Sequence, residues 1–389
     1  MAAAERGNRG RPPDTDVPSL LVQGSLPWEL PRKRTPLLSL VLELTARCNN
    51  NCRHCFIGLP ATNRVARASE LTRGEVKAVI DQAGALGTIW VNFTGGEPLI
   101  RDDFLDIYVY LKEKGFLVSV FTNATLITKE HIEVFRKYSP QVVDVSVYGA
   151  IPSTYEKITR KPGSFEAFRK GLKMLSAGAI KVGLKTIAMR SNLEEMPEIF
   201  RFCQERSRDY FRFDRLLILR HDGDPARNAM IRSERLTPEQ IVQLEQADSA
   251  SYESAKKECI DLFGQEPTSE ISDQLFFCGA GDESAWIGAN GYFRLCSSLC
   301  HPQGMYDLRK GNLFDAWTNF VPRVVSRRST KAEFLKKCSG CRIKSLCMWC
   351  PAYAHLETGE LDMWIDYFCR VAHAKKIDMA RWIPGFEAY

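Results

Sequence analysis

The 389-residue sequence has no apolar run of the roughly 18 residues that a membrane-spanning helix needs. Its N-terminal stretch, MAAAERGNRGRPPDTD, also lacks the apolar segment of a secretory signal. We therefore expect a cytoplasmic protein with no membrane partner. Because cytoplasmic thiols are kept reduced, the thirteen cysteines need an explanation other than disulfides, and clustered cysteines there are typical metal ligands.

The sequence also lacks a large excess of either positive or negative charge. The net charge is only +6, from 53 Lys and Arg against 47 Asp and Glu. Such interspersed charge is typical of a solvated surface, so we expect no nucleic-acid partner.

Between residues 37 and 217, short apolar runs alternate with helix-like stretches. Six runs rich in β-branched residues predict strands, at 39–44, 88–93, 116–121, 142–147, 181–187 and 211–218. One intervening helix is expected to begin after Thr72, with Glu75 in the capping-box position. The alternation predicts an α/β fold, namely a partial (β/α)6 TIM-type barrel or, as the alternative, a doubly wound sheet. In both folds ligands gather at the C-terminal ends of the strands.

Three further segments complete the predicted organisation. Residues 1–36 are rich in Pro, Arg and Gly and are expected to form an N-terminal extension. Residues 218–277 break the alternation and are expected to form a bridging segment, with Thr237 capping a helix that begins at Pro238. Residues 278–389 are expected to form a small cysteine-rich domain.

Three cysteines follow the first predicted strand directly. Cys48, Cys52 and Cys55 lie in ELTARCNNNCRHCFIG with the spacing Cys-x3-Cys-x2-Cys. Three thiolates on a short loop suit a four-iron cluster and leave one iron open to a further ligand. The alternative is a zinc site completed by His54 or a remote residue, although a ligand between two others is strained.

A second motif, Gly95-Gly96-Glu97, follows the next predicted strand in NFTGGEPLI. The two glycines allow the backbone to approach a ligand closely. Because parallel strands end at the same edge of the sheet, the motif is expected beside the cysteine loop.

Together the two motifs resemble those of the radical S-adenosylmethionine (SAM) superfamily. His54 matches the aromatic position of its Cys-x3-Cys-x-φ-Cys motif, whose ring lies against the adenine, and Gly95, Gly96 and Glu97 match the segment that holds the methionyl amino group. The resemblance implies that SAM chelates the open iron of a [4Fe-4S] cluster on the three cysteines. It also implies that reductive cleavage of SAM gives a 5′-deoxyadenosyl radical, with electrons from a low-potential donor such as ferredoxin or flavodoxin.

Three more residues resemble positions near SAM in that superfamily. Asn123 follows the third predicted strand and Ser146 lies on the fourth, near the expected ribose and methionine. Arg160 is expected to pair with the SAM carboxylate. The alternatives are a turn-forming asparagine, an ordinary strand serine and a solvated arginine.

The C-terminal part carries eight cysteines and resembles the SPASM domain, found after the radical SAM barrel in enzymes that mature peptides and proteins. It departs from that pattern in having two rather than three residues between Cys347 and Cys350. The resemblance implies two auxiliary iron–sulfur clusters of the [4Fe-4S] type: an outer one on Cys338, Cys341, Cys347 and Cys369, and an inner one on Cys278, Cys296 and Cys350. We expect Cys300 to be the fourth inner ligand; otherwise the inner cluster has an open iron that can bind a substrate thiolate. A zinc module is the alternative for the whole block.

Two smaller predictions concern residues outside these motifs. Cys203 lies among apolar residues of a predicted helix and is expected to be a small buried hydrophobe. Asn290 and Gly291 predict a hairpin turn.

The resemblance leaves the substrate open. We expect modification of a ribosomally made peptide by a thioether or carbon–carbon crosslink. The alternatives are a formylglycine-type sulfatase maturase and a decarboxylase or cofactor-assembly enzyme acting on a small molecule such as a tetrapyrrole. The maturase is disfavoured, because Ser297 stands where similar maturases carry an acid. A non-enzymatic scaffold or electron carrier leaves the Gly95-Gly96-Glu97 motif unexplained.

Overall fold

The structure is a computed structural model that describes residues 35–207, 211–247 and 272–382, with short pieces between 252 and 260. Almost all of the extension predicted at 1–36 lies outside the described residues. Among the residues described, no helix is long and apolar enough to cross a membrane.

A mostly parallel sheet forms the centre of the fold. Its principal strands are β1 (Ser39–Thr45), β4 (Trp90–Gly95), β5 (Leu117–Thr122), β6 (Val142–Ser146), β7 (Val182–Ile187) and β8 (Phe211–Asp214). These six strands pair in parallel in chain order, as the sequence predicts. Two short strands, β2 (Arg47–Cys48) and β3 (Leu59–Pro60), pair with each other after β1.

Helices alternate with the strands, which confirms the α/β fold and agrees with a partial (β/α)6 barrel. They are α1 (Arg64–Ser69), α2 (Arg73–Ala85), α3 (Phe104–Glu113), α4 (Lys129–Lys137), α5 (Pro152–Thr159), α6 (Ser164–Ala177) and α7 (Met196–Arg206). Thr72 and Glu75 form the predicted capping box at the start of α2. Cys203 on α7 is fully buried in the core, as predicted.

The predicted hairpin also belongs to this sheet. Strands β9 (Ser284–Ile287) and β10 (Tyr292–Arg294) are antiparallel, and Gly291 in the turn has a φ of +83°. Strand β9 lies parallel to β1, so the sheet order is β11-β10-β9-β1-β4-β5-β6-β7-β8, where β11 is Met305–Asp307. The sequence predicts the hairpin but not this pairing, which attaches the cysteine-rich part beside the strand that leads into the first cysteine loop.

The rest of the described chain is helical or irregular. The bridging segment contributes α8 (Pro225–Glu234) and α9 (Pro238–Ala247). The Thr237 hydroxyl accepts a hydrogen bond from the backbone amide of Gln240 at 3.3 Å, which confirms the predicted cap. The C-terminal helices are α10 (Leu313–Asp315), α11 (Val321–Val325), α12 (Ala332–Phe334), α13 (Pro351–Thr358) and α14 (Asp366–Ala380), with π-helical turns at Ala316–Phe320 and Leu335–Ser339.

Candidate functional site

The loop after β1 brings the thiols of Cys48, Cys52 and Cys55 together at the C-terminal edge of the parallel strands. Burial raises the pKa of the Cys52 thiol, and the charges of Cys55 and Cys48 raise it further. The backbone amides of Asn50 and Gly58 donate to the sulfurs of Cys48 and Cys55 at 3.4 and 3.0 Å. Thiols so placed ionise only when a cation or donated hydrogen bonds compensate the charge, which is the setting that a metal cluster provides.

The end of β4 lies directly against this loop. The amides of Gly96 and Glu97 donate to the carbonyls of Thr45 and Arg47 at 2.8 and 2.9 Å. A Cβ atom on Gly95 would lie 2.1 Å from the Thr45 oxygen, and one on Gly96 would lie 2.3 Å from the Arg47 oxygen. Gly95 also has a φ of +130°. Both glycines are therefore required by the contact between two backbones, a reason that the sequence alone did not reveal.

Glu97 is fully buried and joins the ends of two strands. Its Oε1 accepts hydrogen bonds from the Leu99 amide at 3.1 Å and the Thr122 hydroxyl at 2.7 Å, and its Oε2 accepts one from the Asn123 amide at 2.7 Å. Burial raises the pKa of the carboxyl to about 7, against the opposing effect of these bonds. Glu97 thus braces the segment that carries Asn123, and its contact with a SAM amino group stays a prediction.

Asn123 reaches the cysteine loop from the end of β5. Its Nδ2 lies 2.9 Å from Oδ1 of Asn49 and 3.8 Å from the sulfur of Cys48. Asn49 in turn donates to the hydroxyl of Thr125 at 2.7 Å. The structure therefore places Asn123 beside the first cysteine of the motif.

His54 and Ser146 meet through Tyr148. The rings of His54 and Tyr148 lie 4.7 Å apart at a tilt of 59°, and Tyr148 is hydrogen-bonded to the Ser146 side chain. Burial lowers the pKa of His54 to about 4, so the imidazole is neutral at pH 7. A neutral ring on the cysteine loop suits the expected contact with an adenine, which stays a prediction.

Arg160 lies at the rim of this site. It is exposed, ends α5 in the left-handed region with a φ of 52°, and places Nη1 3.7 Å from the sulfur of Met230. Arg227 on α8 lies closer to the loop, since its Nη2 donates to the Cys52 carbonyl at 3.0 Å and its Nη1 contacts the Asn51 side chain. The expected pairing of Arg160 with the SAM carboxylate is not tested by these contacts.

The bridging segment holds the other side of the cysteine loop. Nη1 of Arg220, a buried residue, donates to the carbonyls of Cys55 and Gly58 at 3.1 and 3.2 Å. The backbone amide of His221 donates to the Phe56 carbonyl at 3.0 Å. The sequence predicts only a bridging segment here, because arginines in an irregular segment have no spacing that predicts such contacts.

The residues of the loop fit a cluster and its ligand. Both side-chain polar atoms of Asn50, Nδ1 of His54 and Nε of Arg227 are buried without a hydrogen-bond partner among the described residues. Buried polar atoms are normally satisfied, so a polar group is expected beside them. Three thiols on one short loop match a four-iron cluster with one open iron. Within the described ranges no three His, Cys, Asp or Glu side chains are grouped for a single metal ion.

The C-terminal cysteines form two further groups. Burial raises the pKa of Cys350 to about 12, and the charges of Cys296 and Cys278 raise it further. These three thiols therefore lie near one another. Four of the remaining five line a cavity of about 310 Å³ together with aromatic and lysine side chains: Cys338, Cys341, Cys347 and Cys369. The grouping agrees with the two sets that the sequence resemblance implies, and their binding of clusters stays a prediction.

Cys300 lies next to the inner set but is held by another residue. Nη1 of Arg294 is 3.0 Å from its sulfur, and Nη2 of Arg294 is 2.9 Å from the buried carboxylate of Glu43 on β1. Burial raises the pKa of Cys300, the Arg294 charge lowers it, and Cys296 is among the smaller raising influences. The Cys300 thiol therefore lies between the inner set and Arg294, which in turn contacts Glu43 on β1.

Comparison with known proteins identifies the class of this fold and site. The family model described as the radical SAM superfamily matches residues 42–203, which span β1 to α7 and contain the cysteine loop and the Gly95-Gly96-Glu97 motif. Residues 42–203 therefore form a domain similar to those of the radical SAM superfamily, whose fold binds SAM and a [4Fe-4S] cluster.

Relatives are found among curated proteins and solved structures. The chain is 29% identical over 331 residues to an AdoMet-dependent heme synthase of Methanosarcina barkeri, which covers 82% of this chain and 92% of that protein. It is 32% identical over 189 residues to an Fe-coproporphyrin III synthase of the same organism, but this covers only 49% of this chain and 44% of that protein. The crystal structure of Streptococcus suis SuiB bound to SAM has a TM-score of 0.63 at 18% identity, with 86% and 75% of the two chains covered. This last likeness shows the fold alone.

Proposed function

We propose that this radical SAM enzyme acts on a carboxylate-bearing tetrapyrrole. The observation that carries the proposal is the similarity to a heme synthase over 92% of that protein's length. This is the small-molecule alternative of the sequence analysis, preferred here to the peptide crosslinking that was expected first. The reaction that we assign to it is an oxidative decarboxylation, in which hydrogen abstraction is followed by loss of CO2 and of one electron to an acceptor such as an auxiliary cluster.

The residues of the first site have distinct tasks in this proposal. Cys48, Cys52 and Cys55 hold the cluster that, with SAM, supplies the 5′-deoxyadenosyl radical for hydrogen abstraction. The contact of Gly95 and Gly96 with the cysteine loop fixes the distance between β1 and β4, and the buried Glu97 carboxylate ties β5 to the same point. These contacts preorganise the site, because they are rigid and largely buried.

We propose [4Fe-4S] auxiliary clusters on the two C-terminal cysteine sets. Two observations support this: the four thiols of the outer set line one cavity, and the three thiols of the inner set lie near enough to influence one another electrostatically. Cys300 as the fourth inner ligand stays a proposal, supported by its position near Cys296 and by the Arg294 guanidinium, which favours a thiolate. Electron paramagnetic resonance of Cys300→Ala tests it: an unchanged inner-cluster signal, with and without substrate, would remove Cys300 from the ligand set.

The surface around the outer set supports an acidic electron donor such as ferredoxin or flavodoxin. Residues 331–347 contain five Lys or Arg side chains and one acid, Glu333. Lys336, Lys337 and Arg342 are exposed, next to the ligands Cys338 and Cys341. A patch of one charge sign attracts a partner of the opposite sign and increases the association rate.

An anaerobic turnover assay tests the tetrapyrrole proposal. Reconstituted enzyme is incubated with SAM, dithionite and Fe-coproporphyrin III, and 5′-deoxyadenosine and tetrapyrrole masses are followed over time. We expect the tetrapyrrole to accelerate 5′-deoxyadenosine formation and to lose carboxylate groups. If the tetrapyrrole neither binds nor changes the rate, this function is wrong, although the chain remains a radical SAM protein.

Peptide modification is the second candidate function. The observation in its favour is that β8 is an edge strand of the sheet in the described part of the chain. An exposed strand edge can pair with an extended peptide. A short patterned precursor encoded in an adjacent reading frame would provide the test substrate, and a mass shift of that peptide would favour this candidate over the tetrapyrrole.

A further inference from the structure

Three neighbouring strands place four charged side chains on one face of the sheet. Lys185 on β7 is in register with Ser146 on β6 and with Arg212 on β8. Because successive strand residues point to opposite faces, Asp144 shares the face of Ser146, and Asp214 shares the face of Arg212. Two contacts agree with this: Lys185 pairs with Asp144 at 3.0 Å, and Arg212 with Asp214 at 3.2 Å.

This charged face lies between the two cysteine sites. On one side, Ser146 is hydrogen-bonded to Tyr148, whose ring lies 4.7 Å from His54 on the cysteine loop. On the other side, Asp214 is close enough to Tyr353 on α13 to raise its pKa, after burial and the inner thiols Cys350 and Cys296. Lys185 and Arg212 lie in the register row that runs from Ser146 to the strand of Asp214, between these two contacts.

Within the described part of the chain, both cations retain hydrogen-bond donors for a ligand. The Lys185 ammonium has three donors, of which one contact goes to Asp144, and the nitrogen lies 3.4 Å from the centre of the Phe121 ring. The Nε and Nη2 of Arg212 both contact a single oxygen of Asp214, at 3.3 and 3.2 Å, and 58% of the Arg212 side chain is exposed. A guanidinium has five N–H donors, and among the described residues those of Arg212 contact only Asp214.

We propose that Lys185 and Arg212 together bind a carboxylate of the substrate, which rests on the tetrapyrrole function proposed above. Asp144 and Asp214 already balance the two positive charges, so a ligand carboxylate would be held by the remaining N–H donors of Lys185 and Arg212 rather than by excess charge. An ammonium and a guanidinium bind a carboxylate through charge-assisted hydrogen bonds. The two residues position the substrate; they are not assigned a role in radical chemistry.

Binding is measured by absorption titration of Fe-coproporphyrin III into anaerobic enzyme that carries SAM. Arg212→Gln is the main variant, because its exposed side chain can be changed without disturbing the core. Lys185→Met is made together with Asp144→Asn, so that no buried carboxylate is left unpaired. Lys170→Met on the outer helix α6 is the matched control, and Lys185→Arg is the conservative variant.

We expect Arg212→Gln, and separately the Asp144→Asn/Lys185→Met pair, to weaken binding by about 10- to 100-fold each, the range for a lost hydrogen bond to a charged group. Lys170→Met and Lys185→Arg should bind nearly as wild type. The tetramethyl ester of the same tetrapyrrole has no free carboxylate, so its affinity should be the same for wild type and variants. Unchanged binding of the free acid to both variants would overturn the inference.

The test separates this inference from the proposed function. If wild type binds and converts the tetrapyrrole while both variants bind it equally well, the carboxylate site is wrong and the function stands. If wild type does not bind it at all, the function and the site fail together. The iron content and the denaturant midpoint of each variant are compared with those of wild type, so that a misfolded variant is recognised.

Discussion

Alanine at Gly95 tests whether the contact between β4 and the cysteine loop holds the SAM site together. The added Cβ would lie 2.1 Å from the Thr45 carbonyl oxygen, and the residue has a φ of +130°. Left-handed backbone costs an L-residue about 1–2 kcal/mol, and overpacking adds about 1–3 kcal/mol. Gly95→Ala should therefore lower the free energy of unfolding by about 2–5 kcal/mol.

Two other glycines separate these contributions. Gly115 has a φ of +88° and nothing within 4 Å of an added Cβ, so Gly115→Ala should cost only the backbone strain, about 1–2 kcal/mol. Gly96 is not in the positive-φ region, and its added Cβ would meet the Arg47 oxygen at 2.3 Å, so Gly96→Ala tests the contact alone. Denaturant unfolding without oxygen gives the stabilities, and iron content and 5′-deoxyadenosine formation report on the SAM site. If Gly95→Ala is no less stable than Gly115→Ala and keeps its SAM cleavage, the reasoning is refuted.

Three other predictions concern charged groups. The pKa of Glu97 is raised from 4.5 to about 7 by burial, so folding favours its protonated form, and the free energy of unfolding should fall by up to about 3 kcal/mol as pH rises between these values. Glu97→Gln should lack this fall. Urea unfolding at several pH values measures the free energy of unfolding, and the same pH dependence in wild type and Glu97→Gln would contradict the assignment. Arg220→Gln should loosen the cysteine loop and speed the loss of iron to a chelator, whereas Arg201→Gln, at an exposed position, should not. Equal rates of iron loss in the two variants would show that Arg220 does not stabilise the loop. Reversing Lys336 and Lys337 to Glu should raise the KM for an acidic electron carrier and leave dithionite-driven turnover unchanged, and an unchanged KM would argue against docking there.

The repeated part of the fold could be predicted from sequence because strand and helix periodicities are local. The capping box at Thr72 and the hairpin at Gly291 are likewise set by neighbouring residues, and both are confirmed. The pairing of β9 with β1 could not be predicted, since it joins strands more than 200 residues apart and depends on tertiary packing.

The candidate site shows the same division. The thiol spacing of the first motif identifies the cysteine loop, because the ligands of one cluster are close in sequence. Arg220 and Arg227 come from a distant segment and contact that loop mainly through its backbone carbonyls, which impose no sequence pattern. The roles of Gly95 and Gly96 are also hidden, since a glycine required by a backbone contact cannot be distinguished in sequence from one required by a ligand.

The central claim is that Cys48, Cys52 and Cys55 hold the cluster that cleaves SAM. Its most direct test compares wild type with a variant in which all three are alanine, both reconstituted without oxygen and supplied with SAM and dithionite. Wild type should form 5′-deoxyadenosine and carry about twelve irons if it holds three four-iron clusters, whereas the variant should form none and retain about eight. Formation of 5′-deoxyadenosine by the triple variant at the wild-type rate would contradict the account.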